Sequence, residues 1–182
     1  MRTQYSSPRP KDGNIRFDPT LGGGVFFDSV GYAVNSMLYF FKDLPASVSA
    51  TMIKDQHYDV DQAISLTLNY NNGPVVQTFS GYGVQYRSHY EICCENGRIG
   101  PKRAYAMNLD TVPEIEIDTN DGIRVETLDP AHQFLLMVEA FSEFVDSGLE
   151  TDSISSEEFL KQHRIMDAAY KSLNSNGVVL NL

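Results

Sequence analysis

Hydrophobic positions change period twice along this chain. From Gly24 to Phe41, the residues Val25, Phe26, Val30, Val34, Met37, Leu38 and Phe41 fall at helical spacing, and Asp43, Leu44 and Pro45 close the segment. From Ile64 to Tyr70 the period drops to two, with Ile64, Leu66, Leu68 and Tyr70 alternating with Ser65, Thr67 and Asn69, which predicts a strand. Asn71-Asn72-Gly73-Pro74 is turn chemistry, and VVQTFSGYGVQY reads as the returning strand. Two more hairpins follow. Residues 89–94 turn at Glu95-Asn96-Gly97 into Arg98-Ile99, and EIEIDT pairs with IRVETL around Asn120-Asp121-Gly122. The turns imply an antiparallel sheet of about six strands.

The helical period then returns. Phe134, Met137, Val138, Phe141 and Val145 line one face of a helix ended by Gly148. Ser155 or Ser156 serves as N-cap of a last helix striped by Phe159, His163, Met166, Tyr170 and Leu173, before VVLNL reads as a short strand. The predicted class is α+β, a single open, mostly antiparallel sheet with helices packed on one face. Residues 1–14, polar and carrying Pro8 and Pro10, read as an N-terminal arm or linker ahead of a domain at 15–182.

Composition narrows the function. With 24 acidic against 14 basic residues and a net charge of -10, a partner with a phosphate backbone is excluded, because such binders cluster Lys and Arg. No apolar run is long enough to cross a bilayer, and Met1-Arg2 leads into polar sequence unlike a signal peptide. A cytoplasmic protein without membrane contact is expected. Cys93 and Cys94 are adjacent, so a strand would send them to opposite faces and no bridge is expected. His57, His89, His132 and His163 are scattered, and no metal site is indicated.

Leu21-Gly22-Gly23-Gly24 invites a phosphate-loop reading. A dinucleotide site needs GxGxxG inside a βαβ unit, and a Walker loop needs Gly-Lys-Ser or Gly-Lys-Thr; neither is present. Gly22, Gly23 and Gly24 are therefore structural, permitting close backbone approach where a helix starts. The helix amides beyond them would attract an anion. Asp28 and Tyr32, spaced i and i+4, share one helix face. They form either part of a site or a capping aspartate beside a core tyrosine.

Several pieces together resemble a known family. They are Ile15-Arg16-Phe17-Asp18-Pro19, the glycines, Asp28 and Tyr32 followed by Ala33-Val34-Asn35, Gly83 to Tyr90, the hairpin from Glu91 to Ile99, Arg103-Ala104-Tyr105 and the closing QHRIMDAAYKSLNSNGVVL. In this order they resemble the C-terminal domain of the glucose–fructose oxidoreductase/inositol dehydrogenase/MocA (Gfo/Idh/MocA) family, nearest its nucleotide-sugar ketoreductase branch. The family's own helix usually reads Asp-x-Gly-x-His or Asp-x-Gly-x-Tyr. Here it is Asp28-Ser29-Val30-Gly31-Tyr32, so the glycine has moved by one and the helix backbone there is expected to pack differently.

The resemblance implies a sugar site. Tyr32 would exchange a proton with the sugar while a nicotinamide takes or gives hydride, and Asp28 would support it. Arg16 would meet a sugar-nucleotide pyrophosphate through its fork of donors, or else form an ion pair with Asp18 or another neighbour. Asn35 would bond a sugar hydroxyl or lie on the helix surface as a plain amide. Arg103 is a further candidate from the sheet, and Tyr82, Tyr86 and Tyr90 read as one strand face for stacking or for packing.

Family members also carry a Rossmann domain with GxGxxG and a Glu-Lys-Pro motif, and these 182 residues contain neither. The chain therefore reads as the substrate-binding and oligomerisation module of an NAD(P)-dependent sugar or nucleotide-sugar oxidoreductase, inactive alone. It would bind no cofactor by itself and would meet NAD(P) either through a separate Rossmann-domain subunit or, the sequence being a truncated portion of a longer chain, within that chain. A homo-oligomer through the open sheet face is expected, because an uncovered apolar sheet needs a partner. Two alternatives stand beside this: a cofactor-free sugar-binding or scaffold protein, and a non-redox epimerase or lyase using Asp28 and Tyr32.

Overall fold

A computed structural model describes residues 1–105, 107–148 and 156–182. Among these, nine strands form one sheet in the order β8-β7-β6-β5-β1-β4-β3-β2-β9. The strands are β1 (Arg2–Ser7), β2 (Ser47–Lys54), β3 (Asp61–Asn69), β4 (Val75–Tyr82), β5 (Arg87–Cys94), β6 (Gly97–Pro101), β7 (Glu114–Thr119), β8 (Gly122–Thr127) and β9 (Leu180–Asn181). Only β1 and β4 run parallel; every other pair is antiparallel. The class is α+β with a single open sheet, as its patterning predicts, but with nine strands in place of about six.

The additional strands hide for a physical reason. The opening segment, expected as a polar arm, supplies β1 in the middle of the sheet, beside β4 on one edge and β5 on the other. Its buried positions are Thr3 and Ser6, small and polar. They therefore leave no hydrophobic alternation to read. Ser6 meets its hydrogen-bond need by donating to the Gln85 carbonyl at 2.8 Å. β2 likewise buries only Val48 and Ala50.

Three helices accompany the sheet: α1 (Gly31–Phe41), α2 (Gln133–Asp146) and α3 (Ser156–Leu173). α1 is preceded by a wide π-turn over Phe26–Val30, with Gly31 as its C-cap. The predicted face holds: Val25, Phe26, Val30, Val34, Met37 and Leu38 are buried against Ile64, Leu66 and Leu68 of β3 and Val76 of β4. At about 25 cal/mol per Å² of apolar surface removed from water, this layer is the main source of cohesion.

α3 packs on β2 with a face that only partly matches the predicted stripe: Leu173 is buried and Met166 packs against the core, but the centre of the face is Ile165, Ala168 and Ala169. Ile165, Ala168, Ala169, Ser172 and Leu173 are buried, whereas Phe159 and Tyr170 are exposed. Small residues let the helix approach the strand, and Ser172 Oγ accepts from the Ala50 amide at 2.9 Å while donating to Val178 O at 2.7 Å. Of the two N-cap candidates, Ser156 is the first helical residue and Ser155 lies outside the described residues. α2 is capped by the His132 ring, which accepts from Leu135 N at 3.2 Å, and no α2 side chain is buried. Phe134, Met137, Val138, Phe141 and Val145 are all exposed.

The middle of the sheet face away from α1 and α3 is largely polar, not the continuous apolar face expected. The registers place His89, Gln4, Phe79 and Ser65 in one cross-strand row, and Glu91, Arg2, Gln77 and Thr67 in the next.

One cluster ties the N-terminal segment down. Arg9 donates to both carboxylate oxygens of the buried Asp55. Its guanidinium lies 4.6 Å from the Phe17 ring centre, and Phe17 stacks on Tyr58. Asp55 Oδ1 also accepts from the amides of His57 and Tyr58 at 2.8 and 3.2 Å. The Arg9 hydrogen bonds, helped by these amides against the cost of burial, hold the Asp55 carboxyl down at about 2. A depressed carboxyl contributes stability that is complete above its unfolded value near 3.8 and is lost as pH falls towards 2. Asp55→Asn is therefore expected to lower the melting temperature by about 4–8 °C at pH 7. The gap to the wild type should close between pH 4 and pH 2; a gap constant with pH would show that this carboxylate is not the source.

Candidate functional site

Two back-to-back 3-10 turns, Ile15–Phe17 and Pro19–Leu21, deliver the chain to the glycines. Asn14 caps the first by accepting from Arg16 N at 3.0 Å, and Asp18 caps the second by accepting from Thr20 N at 2.8 Å. The glycine amides are then spent on backbone carbonyls: Gly22 N on Pro19 O, Gly23 N on Asp18 O and Gly24 N on Arg16 O. A Cβ on Gly23 would lie 2.7 Å from Asp18 O, so this turn closes only without a side chain.

The helix amides beyond are occupied too. Asp61, from β3, accepts from Phe26 N at 2.7 Å, and the nearby amide of Val25 also favours this carboxylate's charge. Burial raises the Asp61 carboxyl, and the amides of Phe26 and Val25 oppose that rise. The anion attracted to the helix start is thus a side chain of the protein itself. The expected open anion site is closed, and the glycine turn has no free amide with which to cradle a dinucleotide.

The predicted polar residues lie downstream. Arg16 Nη2 meets Asp28 Oδ1 at 2.9 Å, so the Arg16 ion pair is with Asp28 and not Asp18, whose oxygen binds Thr20. This bond to Asp28 is the first cause of the raised Arg16 value. Asp28, Tyr32 and Asn35 line one cleft of about 400 Å³ with Phe27, Gly31, Ser36, Tyr105 and Gln162. Asn35 Nδ2 donates to Gln162 Oε1 of α3 at 3.3 Å. Tyr32 is 42% exposed, not a core residue.

Below the cleft, the Tyr82 hydroxyl reaches Gly24 O at 3.4 Å and lies beside Asp28. Burial, then the Asp28 carboxylate, raises this phenol, which stays neutral. Tyr82, Tyr86 and Tyr90 do not share a strand face: Tyr82 ends β4, Tyr86 lies in the loop after it, and Tyr90 is in β5. Arg103 stands off from the cleft, its guanidinium 5.2 Å from the Tyr86 ring centre.

Two further tyrosines complete the site, Tyr105 having entered only within the family-like Arg103-Ala104-Tyr105 piece and Tyr5 not at all. Tyr5 of β1 lies 5.0 Å from Tyr32 between ring centres, and Tyr105 lies 5.4 Å from it. Tyr5 sits within the supposed arm, and Tyr105 follows β6 in an irregular segment docked on Ser88 of β5. No periodic pattern points to either. Among the described residues no group of His, Cys, Asp and Glu could hold a metal ion, and no helix is long and apolar enough to cross a membrane.

Known proteins share this architecture. A family model described as the GFO/IDH/MocA C-terminal domain matches residues 1–100. The chain is 30% identical to D-xylose 1-dehydrogenase (NADP(+)) 2 of Haloferax volcanii over 97% of its own length and 54% of that protein. It is 26% identical to dTDP-3,4-didehydro-2,6-dideoxy-alpha-D-glucose 3-reductase of Streptomyces antibioticus, over 81% of its length and 45% of the reductase. A 3-ketoreductase from Actinomadura kijaniata, solved in complex with NADP and TDP-benzene, superposes with a TM-score of 0.84 at 25% identity, covering 94% of this chain and 53% of that one. The chain spans about half the length of the curated relatives it matches.

Proposed function

Since the chain belongs to the GFO/IDH/MocA C-terminal domain family, we propose that it is the substrate-binding and oligomerisation module of a cytoplasmic NAD(P)-dependent oxidoreductase acting on a sugar or nucleotide sugar. The observation that carries this reading is the convergence of Asp28, Tyr32 and Asn35 on one cleft, with Arg16 bound to Asp28 at its edge. Tyr32 presents an exposed phenol that can exchange a proton with a sugar oxygen. Asp28, its place fixed by Arg16, accepts from a neighbouring sugar hydroxyl, and Asn35 offers an amide to another. The remaining donors of Arg16 face a pyrophosphate where the sugar carries a nucleotide. Arg103, stacked on Tyr86, would belong to the outer rim of the same site.

The nicotinamide is supplied by a Rossmann domain, in the same chain or as a separate subunit, because the glycine turn fits no dinucleotide. The exposed apolar side chains of α2 support a covering partner of this kind. Self-association through the open sheet face would rest on its polar rows, and light scattering should give the mass of a dimer or tetramer. Titration calorimetry with dTDP-glucose and with D-xylose tests the site. Arg16→Ala is expected to weaken binding by about tenfold, the scale of one charge-assisted contact. Equal affinity in Arg16→Ala, or no heat from either probe, would remove the sugar-site reading.

A further inference from the structure

The hydroxyl of Tyr105 lies between two others, 2.7 Å from Ser36 Oγ and 2.8 Å from Thr3 Oγ1. Each hydroxyl has one proton to give. Ser36 gives its proton to the carbonyl of Tyr32 at 2.7 Å. It has none left for Tyr105, so Tyr105 donates to Ser36 and Thr3 donates to Tyr105. The bonds therefore run one way, from Thr3 on the central strand, through Tyr105 and Ser36, to the backbone of Tyr32 in the first turn of α1.

The rings add a second hold. Tyr105 is stacked on Tyr32 with planes 29° apart. Tyr5 touches both, at 5.0 Å from Tyr32 and 6.2 Å from Tyr105, closing a triangle of rings. The Tyr32 hydroxyl has no hydrogen-bond partner among the described residues, whereas the Tyr105 proton is committed inwards.

We infer that Tyr105 is a positioning residue for Tyr32, holding its backbone through Ser36 and its ring by stacking, and is not itself a proton donor to ligand. This rests on the reading of Tyr32 as the proton-exchanging group. It adds a specific division of labour between two phenols that line the same cleft. Offset or edge-on aromatic pairs contribute enough to bias a ring's orientation but not enough to hold the fold alone.

The test uses the full chain with 13C-labelled tyrosine rings. The Tyr32 signal is assigned by its loss in Tyr32→Phe. In Tyr105→Leu the Tyr32 signal should lose the displacement caused by the neighbouring ring, and affinity for dTDP-glucose should fall by about 2–10-fold. Tyr105→Phe keeps the stack and should restore most of the ring signal. A Tyr32 signal unchanged in Tyr105→Leu would overturn the inference. That readout needs no sugar, so its failure is separate from failure of the site reading, which the Arg16 titration decides.

Discussion

Replacing Gly24 with alanine is expected to cost about 2–6 kcal/mol of stability. Two penalties coincide at this residue. Its φ of 106° lies where side chains are strained by about 1–3 kcal/mol. An added Cβ would also lie 2.4 Å from Asp61 Oδ1, displacing the carboxylate that accepts from Phe26 N and leaving buried helix amides unmet at about 1–3 kcal/mol more. For a chain of this length the melting temperature should fall by about 4–24 °C. Gly22→Ala is the internal control. It too has a positive φ, 75°, but nothing lies within 4 Å of its Cβ position, so only the conformational term of about 1 kcal/mol applies. Equal losses at the two positions would mean that the Asp61 cap contributes nothing. A cycle with Asp61→Ala should be less than additive, because either change removes the same cap.

Only part of this fold and site could be read from the sequence. The helical stripe from Val25 to Leu38 and the alternation at Ile64–Tyr70 locate the core, because burial forces large apolar residues onto one face. β1 stays hidden because the middle of the sheet accepts Thr3 and Ser6 once their hydroxyls are bonded, and polarity then imitates a linker. On α3 the predicted stripe is right at Leu173 and Met166 and wrong at Phe159 and Tyr170. Close approach to β2 selects Ala168, Ala169 and Ser172, while Phe159 and Tyr170 stay outside. Within the site, spacing along one helix brings out Asp28, Tyr32 and Asn35. Tyr5, Asp61 and Tyr105 arrive from β1, β3 and the segment after β6, and no local pattern encodes a meeting across such separations. The triple glycine is legible as a close approach, but its occupant, the Asp61 carboxylate 37 residues on, is not.

In the presence of a dinucleotide-binding half, whether fused or supplied beside it, Tyr32→Phe is expected to lower kcat by about 10²–10⁴-fold, the range for losing a positioned proton donor. The ring and its stacking on Tyr5 and Tyr105 survive this change, so sugar affinity should move little. That split separates proton exchange from binding. Asp28→Asn should act on both, since it releases Arg16 as well as its own oxygen from the cleft. Its effect should not add to that of Arg16→Ala, because the two side chains form one ion pair. Without the second half no nicotinamide reduction is expected, as every amide of the glycine turn is already bonded within the protein. Sugar-dependent formation of NADH or NADPH by residues 1–182 alone would contradict that. A Tyr32→Phe variant within about threefold of the wild type in the complemented enzyme would move the proton-exchanging role to another group, and the neutral phenol of Tyr82, buried beside Asp28, would be the first to examine.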